Sequence, residues 1–129
     1  MRFYFEKLEV WQLSKDLFNH TYDLLAKFPF EERYGLCDQL RRASVSIPSN
    51  IAEGIGRFST KEKCHFLEIA LGSLMEVYCQ FLLAKDRGFV TEEDLQNIGD
   101  EVETIGKKLN SFRSKLQSQL NNPKAKPDE

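Results

Sequence analysis

Apolar residues recur at alternating spacings of three and four along most of the chain, which is the period of amphipathic α-helices. Valine is scarce and no Asn-Gly or Asp-Gly hairpin turn occurs, so the pattern does not indicate strands. It predicts four helices, at about 8–27, 36–53, 59–86 and 91–120. With short connections between them, we expect an all-α fold, an antiparallel up-down-up-down four-helix bundle.

Cap residues mark where two of these helices begin. Ser59 is a good N-cap, and Glu62 three residues later can complete a capping box at the start of the third helix. Thr91 is followed by three acidic residues, which complement the positive end of the helix dipole. These signals place the third and fourth helix starts at about 59 and 91.

Proline and glycine residues are expected to disrupt the second helix and to weaken the fourth. Pro48 lies inside the second helix and should kink or split it, because it cannot donate a backbone hydrogen bond. Gly54 and Gly56 should then end that helix. Gly99 and Gly106 weaken the fourth helix by roughly 1 kcal/mol each relative to alanine. Close approach of another helix and tolerated surface positions both explain them.

The apolar faces of the first and third helices are wider than a four-helix bundle needs. A second stripe lies beside the first on helix one: Trp11, Phe18, Tyr22 and Leu25. Helix three is apolar around most of its circumference and is predicted to be the most enveloped helix. The fourth helix has a two-position heptad seam from Leu95 to Leu116, typical of coiled-coil packing. The apolar surface of the first and third helices exceeds what a four-helix bundle needs, which indicates self-association. The alternative is that the aromatic side chains fill a thick core.

The length of 129 residues suits one domain, since two would each have a marginal core. We assign residues 1–120 to the bundle. Residues 121–129 contain two prolines, two lysines and no large apolar group, and we expect them to form a disordered tail.

The charge of the chain is nearly balanced, with 18 Lys and Arg against 20 Asp and Glu. A net charge of −2 excludes a protein that coats nucleic acid by bulk charge, but leaves a local basic patch open. Residues 1–64 carry ten bases and nine acids, and residues 65–129 carry eight and eleven. Any basic surface is therefore expected in the first half.

The location of the protein is expected to be cytoplasmic, with no membrane partner. No uninterrupted apolar run approaches the roughly 20 residues that span a bilayer. The N-terminus lacks the apolar stretch of a signal peptide. Three cysteines form no paired framework and no CxxC motif, which fits a reducing compartment.

The sequence predicts no catalytic residue, no metal site and no cofactor, and hence a protein that is not an enzyme. Glu62-Lys63-Cys64-His65 matches one Glu-x-x-His motif of a di-iron bundle, but the second motif is missing. Cys64 and His65 are adjacent and diverge by about 100° on a helix, so they do not form a nucleophile–base pair. Neither histidine has the arginine spacing of small helical nucleases of the HEPN type.

Two sets of polar residues are candidates for binding. A stripe on the second helix contains Ser46, Ser49, Asn50 and Glu53. It is either a solvated helix face or an interaction surface. A basic cluster around the same segment could contact phosphates, although nearby acids dilute its field; its members are Arg41, Arg42, Arg57, Lys61 and Lys63.

The segment Tyr34–Gly54, YGLCDQLRRASVSIPSNIAEG, resembles the signature of a bacterial family. The resemblance extends to Phe5–Gln12, Phe66–Leu74 and Gly88–Val90, and covers roughly residues 3 to 115. The family is that of the four-helix-bundle proteins of 23S rRNA intervening sequences, sometimes labelled ribosomal-protein-like. It includes the accessory variability determinant of diversity-generating retroelements. The resemblance implies a pentameric ring, with nucleic acid and a reverse transcriptase as partners.

From these observations we expect a non-enzymatic, homo-oligomeric scaffold that binds structured RNA. The family motif and the basic cluster motivate this hypothesis. The alternative is a protein-interaction or assembly subunit that does not bind nucleic acid, which the acidic net charge and the wide apolar faces favour.

Overall fold

The computed structural model describes residues 1–121, which form four α-helices in an antiparallel bundle. The helices are α1 Glu9–Leu25, α2 Leu36–Ile55, α3 Thr60–Asp86 and α4 Glu92–Asn121. Each boundary lies within two residues of its predicted position, and the all-α prediction is confirmed. Short 3-10 turns, which the sequence did not predict, span Tyr4–Lys7 and Phe30–Glu32. The predicted tail, apart from residue 121, lies outside the described residues.

The helices form a cycle in which each contacts the next along the chain and α1 contacts α4. The contact between α2 and α3 is the most extensive, and the contact between α1 and α4 is the smallest of the four. Side-chain pairs show the antiparallel alignment. Lys27 Nζ lies 2.9 Å from Asp94 Oδ2, and Lys108 Nζ lies 2.8 Å from Glu9 Oε1. The start of α1 therefore lies beside the second half of α4.

The core contains the predicted inward stripes. On α3 the buried apolar residues of this stripe are Leu67, Ala70, Leu74, Val77, Phe81 and Ala84. The α4 seam contributes Ile98, Val102, Ile105, Leu109 and Leu116 as buried residues. Burial of the leucine, isoleucine, valine and phenylalanine side chains among them stabilises the fold by roughly 1.5–3 kcal/mol each.

The caps of α3 and α4 differ. Thr91 and Asp94 form a reciprocal capping box, with Asp94 N donating to Thr91 Oγ1 and Thr91 N donating to Asp94 Oδ2, both at 3.0 Å. The hydrogen bond from Thr91 N, with the Lys27 ammonium, holds the pKa of the Asp94 carboxyl below its usual value. At α3 only one half of the predicted box forms within the described residues: Glu62 N donates to Ser59 Oγ at 3.1 Å.

The helix α2 runs without interruption through Pro48, so the expected split does not occur. Gly54 also lies inside the helix rather than ending it. A Cβ at Gly54 would come within 2.8 Å of the Phe66 Cβ, so glycine permits close packing of α2 on α3 here. Gly99 faces α3, and a Cβ there would lie 3.2 Å from Tyr78 Cε1, which favours the close-approach explanation for this residue. A Cβ at Gly106 would make only an ordinary contact with Leu74 Cδ2, at 3.6 Å, so close approach does not explain Gly106.

The helix α3 is less enveloped than predicted. Its side away from the core exposes Ile69, Leu82 and Leu83, the last with 52% of its surface accessible. By length and composition α3 could cross a membrane, although the sequence contains no uninterrupted apolar run of that length. Within its most apolar window, 33% of the residues are buried in the bundle. This is weak evidence for a span, because the core helix of a soluble bundle meets the same criteria.

Replacement of a core leucine should prevent folding. Leu74 is fully buried at the centre of α3, so Leu74→Asp would bury an unpaired carboxylate, which costs several kcal/mol. We expect loss of the cooperative melting transition in circular dichroism. Leu82→Asp, the same change at an exposed leucine of the same helix, is the control and should keep a cooperative transition. Wild-type melting of Leu74→Asp would show that the inward face is misassigned.

Candidate nucleic-acid interface

The structure divides the predicted basic cluster between two places. Arg41 and Arg42 lie in the first half of α2, whereas Arg57, Lys61 and Lys63 lie at the turn between α2 and α3. From Arg41 to Arg57 the helical rise corresponds to about 24 Å. The five residues therefore do not form one patch.

The two arginines in the first half of α2 already have partners. Arg41 Nη1 donates to the backbone carbonyl oxygen of Arg33 at 3.3 Å. Arg42 Nε lies 3.5 Å from Asp38 Oδ2, one helical turn earlier. Asp38 offsets part of the charge of Arg42. Residues 17–46, which surround these arginines, contain four cations and four acids and so carry no net charge.

The turn between α2 and α3 combines cations with an aromatic side chain. Lys63 Nζ donates to the carbonyl oxygen of Ile55 at 2.9 Å and so satisfies the end of α2. The Arg57 guanidinium lies 4.5 Å from the centre of the Phe66 ring. Lys61 is exposed, and Phe58 is fully exposed in the turn. The sequence interpretation missed Phe58, although an aromatic residue between two helix ends has no helical face to fill.

The bundle separates its charges between its two ends. The end that contains the α2–α3 turn, here called the basic end, comprises residues 1–16, 47–72 and 106–121 and carries ten Lys and Arg against six Asp and Glu. The acidic end comprises residues 17–46 and 73–105, with six bases and twelve acids. The small net charge of the chain therefore conceals a strong separation of positive and negative charge between the two ends.

The last turns of α4 supply much of the positive charge at the basic end. Residues 106–121 contain four cations, Lys107, Lys108, Arg113 and Lys115, and no acid. Lys108 pairs with Glu9, and Arg113 Nη2 lies 2.7 Å from Glu68 Oε1. These pairs tie α4 to α1 and α3. Division of the sequence into halves concealed this segment, because the acidic start of α4 lies in the same half.

The polar stripe on α2 is partly structural. Ser46 Oγ lies 2.8 Å from Ser73 Oγ on α3, and Asn50 Nδ2 donates to the Ser46 carbonyl oxygen at 2.8 Å. Both side chains are half-buried in the α2–α3 contact. Ser49 and Glu53 are exposed, and Glu53 lies 3.8 Å from the Arg57 guanidinium. The stripe is thus divided between a helix contact and a solvated face.

The nucleophilic and metal-ligating side chains are dispersed. Burial raises the pKa of the Cys37 and Cys64 thiols, which disfavours the reactive thiolates. His20 Nδ1 lies 2.5 Å from Glu101 Oε2 and links α1 to α4. Within residues 1–121, no three His, Cys, Asp or Glu side chains come together in an arrangement that could hold a metal ion.

Comparison with known proteins identifies the family. The family model described as "23S rRNA-intervening sequence protein" matches residues 6–111, which is most of the chain. The chain belongs to this family. The match covers the α2–α3 turn, all of α1 to α3 and most of α4, and it confirms the resemblance seen in the sequence.

A solved structure supports the fold of this family member. The crystal structure of a protein of unknown function from the S23 ribosomal protein family of Bacteroides thetaiotaomicron is similar, with a TM-score of 0.73 and 23% identity. The similarity covers 81% of this chain and 97% of the other. A comparison with curated proteins finds no match. At this identity the likeness shows the fold alone.

The hydroxyl pair between α2 and α3 should be measurable in stability. Ser46→Ala removes the hydroxyl partner of Ser73, while Asn50 keeps its hydrogen bond to the Ser46 carbonyl oxygen. It should lower the free energy of unfolding by about 1 kcal/mol. A double-mutant cycle with Ser73→Ala in urea should show a positive coupling energy. Ser49→Ala, an exposed serine of the same helix, is the control and should change stability by less than about 0.5 kcal/mol. Additive single effects would contradict the pairing.

Proposed function

We propose that this protein is a non-enzymatic, cytoplasmic, homo-oligomeric scaffold that binds structured RNA at its basic end. The observation that carries the proposal is the separation of charge between the two ends of the bundle. The basic end contains ten cations and six acids. Phosphate groups are therefore attracted to this end and repelled at the acidic end.

The side chains at the α2–α3 turn suit an RNA backbone with an unpaired base. Lys61 is exposed, and Arg57 is held over the Phe66 ring with its guanidinium partly accessible. Phe58 offers a free ring face beside them. Stacking of a base on an aromatic side chain contributes about 1–3 kcal/mol and does not depend on the base. We therefore assign phosphate contacts to Arg57 and Lys61, and stacking to Phe58.

The outer face of α3, here meaning Ile69, Gly72, Cys79 and Leu83, supports self-association. These residues are exposed and line one side of the helix. A symmetric antiparallel pairing that brings Ile69 against Leu83 of a second copy would also bring Glu76 against Glu76. Such a like-charge contact is unfavourable, so the face suits a different surface of the next copy better.

The first two helices offer our candidate for that surface. A groove of about 310 Å³ between α1 and α2 is lined by Trp11, Phe18, Val45 and Pro48. Lys15 also lines this groove and could meet Glu76 of a neighbouring copy. Contacts between unlike surfaces generate rings when the rotation closes. The proposed assembly is therefore a head-to-tail ring, with the pentamer implied by the family resemblance as its expected size.

The division of the basic cluster gives a charge-matched test of RNA binding. Arg57→Gln with Lys61→Gln should weaken binding of a fluorescein-labelled RNA hairpin and lower the salt slope of log Kd by about 2, one for each phosphate contact. Arg41→Gln with Arg42→Gln removes the same charge from the acidic end and should change the affinity little. Fluorescence anisotropy at several salt concentrations measures both.

Equal weakening by the two double variants would contradict the site at the α2–α3 turn. No binding of the wild type even at low salt would contradict RNA binding altogether. The protein would then be better described as an assembly subunit that binds only protein.

The outer face of α3 should control the oligomeric state. Leu83→Asp introduces a charge where we place the contact with the next copy, and should reduce the mass from several times 15.0 kDa toward that of the single chain. Light scattering coupled to size exclusion measures it. Leu120→Asp is the control, because Leu120 is 51% exposed and Leu83 is 52% exposed. A monomeric wild type, or an unchanged mass for Leu83→Asp, would contradict this interface.

A further inference from the structure

A groove between α3 and α4 lies at the acidic end of the bundle, away from the RNA site proposed above. It has a volume of about 360 Å³ and is open to solvent. Its floor is formed by Tyr78 of α3 with Leu95 and Val102 of α4. The exposed Met75 side chain forms the α3 edge. The groove therefore offers apolar surface that nothing covers within the described residues.

Gly99 contributes to the shape of this groove. A Cβ at this position would lie 3.2 Å from Tyr78 Cε1, so glycine lets the tyrosine ring lie against the α4 backbone. A larger side chain here would displace the ring or fill the groove. The close approach thus leaves a concave surface between the two helices where a ridge of side chains would otherwise stand.

Acidic side chains line the α4 edge of the groove. Glu92, Asp100 and Glu103 are exposed there, and Gln96 Nε2 donates to Asp100 Oδ1 at 3.1 Å. Glu92 lies 3.3 Å from Lys85, and Glu103 lies 3.1 Å from Lys107. No cation pairs with Asp100 among residues 1–121. The edge therefore retains negative charge that an approaching cation can neutralise.

We propose that the α3–α4 groove binds a basic amphipathic helix of a partner protein. From Glu92 to Glu103 the groove follows three turns of α4, or about 17 Å. Apolar side chains of the partner, spaced at three and four residues, would enter the groove, and its lysines or arginines would meet the acidic edge. The acidic side chains along the α4 edge disfavour nucleic acid here, because they would repel its phosphates.

A second copy of this chain does not fit the groove as well. Its basic helical segment is the end of α4, but Leu109 and Leu116 of that segment are buried in their own bundle. Residues 122–129 contain two lysines but no large apolar side chain. The end of α4 has cations but only one exposed large apolar side chain among the described residues, Leu120, which is too few for an amphipathic face. The occupant we propose is therefore a different protein.

The test uses a labelled synthetic helix of leucine and lysine at alternating spacings of three and four. Its affinity for the full chain is measured by fluorescence anisotropy at physiological salt. Asp100→Lys with Glu103→Lys should weaken binding about tenfold, because two attractions become repulsions. Glu31→Lys with Glu93→Lys is the control. It gives the same net charge at exposed acids outside the groove, and should retain the wild-type affinity.

Equal affinities of the two double variants would overturn the proposal, since bulk charge alone would then explain binding. No binding of the peptide to the wild type would also overturn it. A control peptide with glutamate in place of lysine should not bind, and its binding would contradict the role of the acidic edge. Circular dichroism checks that both variants are folded. None of these outcomes depends on RNA, so the test is independent of the proposed function.

Discussion

The packing of α3 between α2 and α4 determines the position of every other part of the structure. Its buried stripe from Leu67 to Ala84 contacts both neighbours. The missing side chain of Gly54 allows α2 to approach Phe66 closely. With this register in place, the charges of α2, α3 and α4 fall at one end of the bundle or the other. The location of the candidate sites is thus a consequence of core packing.

Periodicity and caps were sufficient to predict the helices, because an amphipathic helix in a bundle must place apolar residues at three and four. They were not sufficient to place charge. Arg41 and Arg57 are close in the sequence, but the uninterrupted helix α2 separates them, so they lie at opposite ends of the bundle. Arg113 and Lys63 are distant in the sequence, yet the antiparallel topology brings both to the basic end, where Arg113 pairs with Glu68 of α3. Counting charges by halves of the sequence therefore could not reveal the polarity.

Serines on the polar stripe illustrate a second limit. Ser46 and Ser49 are both polar residues on one helix, and their periodicity does not distinguish them. The neighbouring helix does, because Ser73 lies beside Ser46 and no such partner is recorded for Ser49 among the described residues. The exposed leucines of α3 show the same limit. As apolar residues they are predicted to be buried, and only the packing of the four helices in the single chain shows that Leu82 and Leu83 are left exposed.

The charge polarity would couple the proposed assembly to the proposed RNA binding. In a ring whose bundles run parallel, the basic ends of neighbouring copies lie side by side, and their mutual repulsion opposes closure. An RNA strand that crosses several basic ends would neutralise this repulsion. Assembly and RNA binding would then favour each other by the same coupling free energy, in both directions. Salt would act in opposite senses on the two, easing the contacts between subunits while weakening the contacts with phosphate.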